Sequence, residues 1–222
     1  MTERIGIFGG TFDPVHHGHL ILARDAVEQL GLTRLIFVPA AINPHKTHRP
    51  AAPDAARLEM LRAANAGEPA FVVDDCELRR AGPSFTIDTV RALQARWQQQ
   101  QPAATTAGEW ILLIGADNVP DLPAWHRIDA LRALVRFAVF ARGENDEADA
   151  LLATQPALPA DACHLRTRRL DVSATEIRNR VAAGRTIRYL VPEAVAAIIA
   201  AQRLYLSPSS PSEGVPPSPT NT

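Results

Sequence analysis

Short apolar runs alternate with longer amphipathic stretches along most of the chain. Six runs have the length and composition of β-strands: 4–8, 34–39, 70–74, 109–115, 136–141 and, more weakly, 163–167. Apolar residues recur at helical spacing over the segments 17–30, 54–66, 85–98 and about 145–155. Several strands are apolar throughout, which is typical of a sheet that is covered on both of its faces.

This alternation predicts an α/β fold, a Rossmann-like, doubly wound and mostly parallel sheet with right-handed crossovers. After residue 170 the pattern becomes helical, with Gly184 as a predicted C-cap and Pro192 in a first helical turn. We therefore expect a single domain over 1–206, of which 171–206 is a small C-terminal helical part. Residues 207–222 are rich in Pro and Ser, and they are predicted to form a disordered tail.

Composition and charge exclude several classes of protein. The formal net charge of -1 does not favour binding to nucleic acid or to a membrane surface. No apolar run approaches the roughly 18 residues that a membrane span needs, and the N-terminus lacks the pattern of a signal peptide. Cys76 and Cys163 are far apart and form no CxxC pair, which argues against a thiolate zinc site and against a disulfide framework. We expect a soluble, cytoplasmic protein.

One segment carries most of the candidate chemistry, the junction "GIFGGTFDPVHHGHLILA" between the first strand and the first helix. In an open parallel sheet, ligands bind beyond the carboxyl ends of the strands, where a strand turns into its helix. Gly9 and Gly10 allow backbone N–H groups to approach a ligand, and the following helix N-terminus favours an anion. The junction therefore predicts a phosphate site.

Three histidines follow this glycine pair. The spacing His16-x-Gly18-His19 could place two imidazoles on one side of the opening helical turn, where they could donate hydrogen bonds to phosphate oxygens. A metal site is the alternative, but the segment lacks the Glu of an H-E-x-x-H helix, and no protein-held metal is predicted. The segment contains neither a P-loop nor a G-x-G-x-x-G pattern. We expect His17 to be an exposed bystander.

A second candidate phosphate contact lies in "DVSATEIRNRV", at the start of a late helix. Ser173 and Glu176 have the spacing of a capping box, which explains both residues without a ligand. The box does not explain Arg178, a cation in an early turn, where the helix dipole disfavours positive charge. A bound polyphosphate would relieve this conflict, with Thr175 as a further donor. The basic run "LRTRRL" (165–170) predicts a solvated strand edge or a local phosphate contact.

These motifs resemble those of a known family. "GGTFDPVHHGH" resembles the G-x-F-D-P-x-H-x-G-H signature of the nucleotidyltransferase superfamily of α/β-phosphodiesterase type, and "DVSATEIRNRV" resembles its second signature, I-S-[SA]-T-x-I-R. Four further motifs occur in order: "PHK" (44–46), "SFTIDTV" (84–90), "GADNVPDLPAWHRIDAL" (115–131) and "YLVPEAVAAII...LY" (189–205). Together they resemble the bacterial nicotinate-nucleotide adenylyltransferase family, over about residues 4 to 206.

The resemblance implies adenylyl transfer from ATP to nicotinate mononucleotide, which gives deamido-NAD and pyrophosphate in NAD biosynthesis. The phosphate of the mononucleotide would attack the α-phosphorus of ATP in line, and since it is already anionic no general base is needed. His16, His19 and Arg178 would be the catalytic residues, because they can stabilise charge. Mg²⁺ would be carried on the triphosphate of ATP, not in a protein cage.

The resemblance also implies two sets of binding residues. Those for ATP lie in the first loop, at the end of the fourth strand and on the late helix: Gly9, Gly10, Thr11, Phe12, His16, His19, Gly115, Asp117, Ser173, Thr175, Ile177 and Arg178. Those for nicotinate mononucleotide lie in the middle motifs and after the fifth strand: His45, Lys46, Ser84, Thr86, Trp125, His126 and Arg142. Asp117 would meet the ribose of ATP, although an Asp there could instead cap a helix.

In the acceptor site, Trp125 would stack on the pyridine ring, with a core tryptophan as the alternative. Backbone amides near Thr86 and His126 would receive the pyridine carboxylate, and such donors favour the acid over the amide of nicotinamide. Ser84 could equally be an N-cap for the helix at 85–98. The chain departs from many relatives at Ala40, where Asn is usual, and after Arg142, where Pro is usual.

Other functions stay open at the level of sequence. The acceptor could be nicotinamide mononucleotide or phosphopantetheine, although the Trp125 segment and "YLVPEAV" favour the nicotinate form. The chain could also be a nucleotide-binding module without activity, but His16, His19 and Arg178 are all present. A third hypothesis, that the chain is a metal-dependent hydrolase, is supported only by the histidine cluster. The oligomeric state stays open.

Overall fold

The computed structural model describes residues 3–41, 51–100, 108–140, 150, 154, 158–168 and 170–206. Its strands are β1 (Arg4–Gly10), β2 (Arg34–Pro39), β3 (Phe71–Val73), β4 (Glu109–Gly115), β5 (Arg136–Phe140) and β6 (Cys163–Leu165). They form one parallel sheet in the order β3-β2-β1-β4-β5-β6. The strand order reverses between β1 and β4, and ligands bind at such a switch point, beyond the carboxyl ends of the strands.

Helices of very different length lie between and after the strands. They are α1 (His17–Leu30), α2 (Asp54–Asn65), α3 (Thr86–Gln100), α4 (Ile128–Arg132), α5 (Ala174–Ala182) and α6 (Glu193–Ala201). Two 3₁₀ turns, Ala116–Asn118 and Leu122–Ala124, follow β4. Gly184 follows α5 with a φ of +64°, the left-handed conformation expected of a glycine beyond a helix C-terminus. No helix of the described part is long and apolar enough to cross a membrane.

The sheet is covered on both faces, as its apolar strands predict. On one face, Phe8 and Leu35 pack with side chains of α1, α2, α5 and α6. On the other face, Ile5, Ile7 and Leu112 pack with α3 and α4. Adjacent residues of β1 therefore serve opposite cores, which is the period of two that a strand imposes.

The predicted Rossmann-like fold is confirmed, with small differences in its elements. β1 continues to Gly10 instead of ending at Phe8, because Gly9 and Gly10 pair with the last residues of β2. The short helix α4 was not expected, since five residues hold too little periodicity to be recognised. The predicted helix at about 145–155, apart from residues 150 and 154, and the predicted tail at 207–222 lie outside the described residues.

Candidate active site

The predicted phosphate loop joins the carboxyl end of β1 to the N-terminus of α1. Phe12 supports this loop. Its side chain is buried, and its backbone φ is +47°, in the left-handed region. A Cβ atom at Gly10 would lie 3.0 Å from Cζ of Phe12, so the glycine makes room for this ring. The loop therefore packs its Phe12 ring into the core, while Gly9 stays exposed at the edge of the sheet.

His16 and His19 lie together at the start of α1, as the sequence predicts. Their ring centroids are 3.8 Å apart and the ring planes are 32° from parallel. The backbone N–H of His16 donates to Nδ1 of His19 at 3.3 Å. In a neutral imidazole, an accepting Nδ1 leaves the proton on Nε2. His19 is therefore set up to present an N–H donor at Nε2.

Gly18 explains why the two histidines are separated by this residue. A Cβ atom at position 18 would lie 3.0 Å from both Cε1 and Nδ1 of His16. Because real Cβ contacts are rarely so short, any other residue would displace the His16 ring. The H-x-G-H spacing in the sequence shows that a glycine lies between the two histidines. It does not show that the His16 ring needs the space beside that glycine.

A cavity of about 60 Å³ lies beside His16 and His19. Thr167 and Arg168, which follow β6, line its far side. Arg168 forms an ion pair with the buried Asp25 of α1 at 3.1 Å. Part of the basic run at 165–170 thus lies beside the predicted phosphate site.

Arg178 connects the late helix to the phosphate loop. Its Nη1 donates to the backbone carbonyl of Asp13 at 2.7 Å, and its Nη2 donates to Oγ1 of Thr175 at 3.1 Å. The Ser173 hydroxyl accepts the N–H of Glu176 at 3.1 Å, so the predicted N-cap is confirmed. Ile177 is fully buried in the core and supports the helix from beneath.

Two buried groups that the sequence analysis missed hold this loop. Arg57 of α2 is 0% exposed; its Nη1 donates to the carbonyl of Thr11 at 2.6 Å and its Nη2 to Asp54 at 2.6 Å. The Asp13 carboxylate accepts hydrogen bonds from the chain near Ala51 and from Tyr205. Asp13 and Tyr205 stand in motifs recognised above, but nothing in the sequence singles out Arg57.

Gly115 and Asp117 lie at the end of β4, beside β1. Asp117 is exposed and lies inside the 3₁₀ turn, where its Oδ1 accepts a hydrogen bond from Nδ2 of Asn118 at 3.0 Å. The N-cap position of that turn is Gly115, so Asp117 is not a helix cap. A Cβ atom at Gly115 would collide with Oδ1 of Asp117. The glycine thus allows the carboxylate to fold back over the strand end.

The two middle motifs meet, although they are about forty residues apart in sequence. The rings of Phe85 and His126 lie 4.3 Å apart with planes 31° from parallel. Ser84 is buried, and its hydroxyl has no hydrogen-bond partner among the described residues, so it is not a bonded N-cap. Trp125 is half-buried at the edge of the α3 core, unlike a fully enclosed core tryptophan. Thr86 begins α3, in whose first turn the N–H groups of Asp88 and Thr89 donate to the carbonyl of Phe85.

Some predicted positions are not brought together by the described structure. His45, Lys46 and Arg142 lie outside the described residues. His17 is half-buried, not exposed as predicted, and it lines a separate cavity of about 740 Å³ between α5 and α6. None of the predicted substrate residues lines that larger cavity.

The hydrogen-bond donors around the loop are imidazole, guanidinium and backbone amide groups. Across the described ranges, no group of three or more His, Cys, Asp or Glu could hold a metal ion. The carboxylate of Asp13, which lies in the loop itself, is occupied by three hydrogen-bond donors. Mg²⁺ carried on ATP stays a prediction.

Known proteins resemble this chain over nearly its whole length. The cytidylyltransferase-like family matches residues 7–180. A Herpetosiphon aurantiacus protein named "Probable nicotinate-nucleotide adenylyltransferase" is 42% identical over 207 residues, 92% of this chain and 100% of the relative. A Gemmatimonas aurantiaca protein of the same name is 43% identical over 204 residues, 91% of this chain and 92% of the relative.

A solved structure has the same fold at low sequence identity. It is the Plasmodium falciparum nicotinic acid mononucleotide adenylyltransferase complexed with NaAD, with a TM-score of 0.66 and 16% identity, covering 91% of this chain and 97% of that one. At that identity the likeness concerns the fold alone. The sequence relatives carry the assignment: the chain belongs to the nicotinate-nucleotide adenylyltransferase family of cytidylyltransferase-like nucleotidyltransferases.

Proposed function

We propose that this chain transfers the adenylyl group of ATP to nicotinate mononucleotide, giving deamido-NAD and pyrophosphate in NAD biosynthesis. The observation that carries the proposal is the stacked pair His16 and His19 beside a loop that also receives Arg178. Relatives of about 40% identity over nearly the whole chain, named as nicotinate-nucleotide adenylyltransferases, support the same reaction.

The catalytic role of the protein is positioning and charge stabilisation. The attacking phosphate is already an anion, so the reaction needs no protein nucleophile. His19, with its proton on Nε2, donates to a phosphate oxygen of ATP, and the adjoining His16 is the second imidazole at the same point. These donors strengthen as charge moves toward the departing pyrophosphate.

Arg178 completes the phosphate site. Its guanidinium uses one N–H on Asp13 and another on Thr175, which leaves its remaining donors for phosphate oxygens. A cation in the first turns of α5 is unfavourable beside the helix dipole alone, and a bound triphosphate reverses the sign of that interaction. Ser173, Thr175 and the loop from Gly9 to Phe12 form the rest of the triphosphate site.

Mg²⁺ would be carried on the nucleotide, where it would neutralise charge on the triphosphate. Mg²⁺ prefers carboxylate, phosphate and water oxygens, and the described residues around the loop offer it imidazoles and guanidinium groups instead. Gly115 and Asp117, on the other side of the switch point, receive the ribose of ATP.

The acceptor binds between the middle motifs. The contact between Phe85 and His126 brings Thr86 and Trp125 into one region, where Trp125 is available to stack on a pyridine ring. Backbone N–H donors near Thr86 and His126 bind a carboxylate, and a carboxamide would oppose them with donors of its own. His45, Lys46 and Arg142 are proposed to contribute to the same site.

Pyrophosphate release from ATP and Mg²⁺ tests the reaction and the acceptor together. Nicotinate mononucleotide, nicotinamide mononucleotide and phosphopantetheine are supplied in parallel, and release with the nicotinate form is expected to be fastest by at least about tenfold in kcat/KM. Faster release with another acceptor would keep the phosphate chemistry but contradict the acceptor site. No release with any acceptor, with ATP still bound, would favour a binding module.

A further inference from the structure

The Asp13 side chain joins distant parts of the chain within the phosphate loop. It is 4% exposed, and both of its oxygens are hydrogen-bonded. Oδ2 accepts the N–H of Ala51 at 2.7 Å; Oδ1 accepts the N–H of Ala52 at 3.1 Å and the hydroxyl of Tyr205 at 2.7 Å. The backbone carbonyl of the same residue accepts Arg178. One residue thus ties the loop to the approach of α2, to α5 and to the turn after α6.

Tyr205 reaches Asp13 from 192 positions away along the chain. Its backbone φ is +62°, a conformation that non-glycine residues adopt only at an energetic cost. Its ring is half-buried against the core shared by α1, α2, α5 and α6. Burial, together with the hydrogen bond to Asp13, raises the pKa of the Tyr205 hydroxyl, so it stays a protonated donor at neutral pH.

We propose that Tyr205 is a positioning residue for adenylyl transfer, which holds the phosphate loop in register with Arg178 by binding the carboxylate of Asp13. The inference rests on the role proposed above for the loop. Asp13 lies three residues before His16, and its carbonyl is the anchor of the Arg178 guanidinium. The Tyr205 hydroxyl therefore acts on both the histidine side and the Arg178 side of the proposed triphosphate site through a single residue.

The position of this contact predicts a particular kinetic effect. Without the hydroxyl, Asp13 keeps its two backbone donors, so the loop stays formed but can shift. Small displacements of charge-stabilising groups affect the transition state more than ground-state binding. Loss of the hydroxyl is therefore expected to lower kcat much more than it changes the KM for ATP.

The variant Tyr205→Phe removes the hydroxyl and keeps the ring. Its matched control is Tyr189→Phe at the other tyrosine of the chain, which is 78% exposed and packs under Arg188. We expect Y205F to lower kcat about tenfold, the scale of one hydrogen bond to a charged group, with KM for ATP changed less than about twofold. Y189F should match the parent. A parental kcat in Y205F, or loss of its fold, would overturn the proposal.

A double-mutant cycle tests whether Tyr205 acts through Asp13. The variants D13A, Y205F and D13A/Y205F are compared, and the Y205F effect on kcat is expected to shrink at least about threefold in the D13A background, where the acceptor of the Tyr205 hydroxyl is already lost. Independent, multiplying effects would contradict the proposed route.

A spectroscopic readout keeps this inference separate from the proposed reaction. The side-chain ¹⁵N signals of His16 and His19 report their tautomers and surroundings in the absence of turnover. Y205F is expected to shift these signals, whereas Y189F leaves them in place. Unchanged signals in Y205F would overturn the positioning role even if the parent were inactive. Failure of the parent to release pyrophosphate would instead count against the proposed function.

Discussion

At the scale of single residues, the chemistry of the site depends on small side chains as much as on cationic ones. Gly18 is the clearest case, because His16 occupies the space where its Cβ atom would be. Gly10 likewise leaves room for the Phe12 ring, and Gly115 leaves room for the Asp117 carboxylate. Each glycine allows one neighbouring side chain to fold back against the backbone, and the ligand-facing geometry follows from these contacts.

Replacement of Gly18 by Ala separates activity from stability. The new methyl group would lie 3.0 Å from the His16 ring and displace it, so kcat is expected to fall about 10- to 100-fold. Gly18 is the second residue of α1, and alanine is a better helix former than glycine, so the free energy of unfolding should not fall much. Steady-state kinetics and urea denaturation measure the two effects. Parental kcat in G18A would show that the close packing of His16 is unimportant.

At the scale of elements, the sequence predicted the features that follow from hydrophobic periodicity and from residues close together along the chain. The six strands and the pairing of His16 with His19 follow from local patterns, and the structure confirms both. Contacts such as Tyr205 with Asp13 could not be predicted, because no spacing in the sequence encodes which distant elements meet. The short helix α4 was not predicted, because its five residues hold too little periodicity to be recognised.

Arg57 illustrates how one element supports another. It lies on the buried side of α2, and its guanidinium bonds the carbonyl of Thr11 in the phosphate loop as well as Asp54. Helical periodicity predicts an apolar residue at this buried position of α2. The polar loop carbonyl that approaches α2 explains the arginine, and only the tertiary structure reveals that carbonyl.

The variant Arg57→Met is therefore expected to destabilise the fold. Methionine fills part of the volume but leaves the Thr11 carbonyl unpaired, at a cost of about 2 kcal/mol. Asp54 is half-exposed, so water can solvate its freed charge and the penalty stays below that of a broken buried pair. Urea denaturation measures the change, with Asp54→Asn as the control, for which about 1 kcal/mol or less is expected. Equal stability of R57M and the parent would contradict this role.

At the scale of the whole molecule, the sheet topology explains why these residues meet. The phosphate loop follows β1 and the Gly115 turn follows β4, so both lie at the switch point between neighbouring strands. The C-terminal part then packs on the α1 side of the sheet and brings Arg178 and Tyr205 to the same loop. Chain segments far apart in sequence thus converge on the proposed phosphate site.

The turnover number of His19→Ala tests this account most directly, with His17→Ala as its neighbour control. His19 presents its Nε2 donor at the phosphate loop, whereas His17 lines the separate cavity. With ATP, Mg²⁺ and nicotinate mononucleotide, H19A is expected to lose about 10²-fold or more in kcat, the scale of one transition-state donor, with an unchanged far-UV spectrum. H17A should stay within about twofold of the parent. Parental kcat in folded H19A would contradict the central claim that this loop stabilises the transferring phosphate.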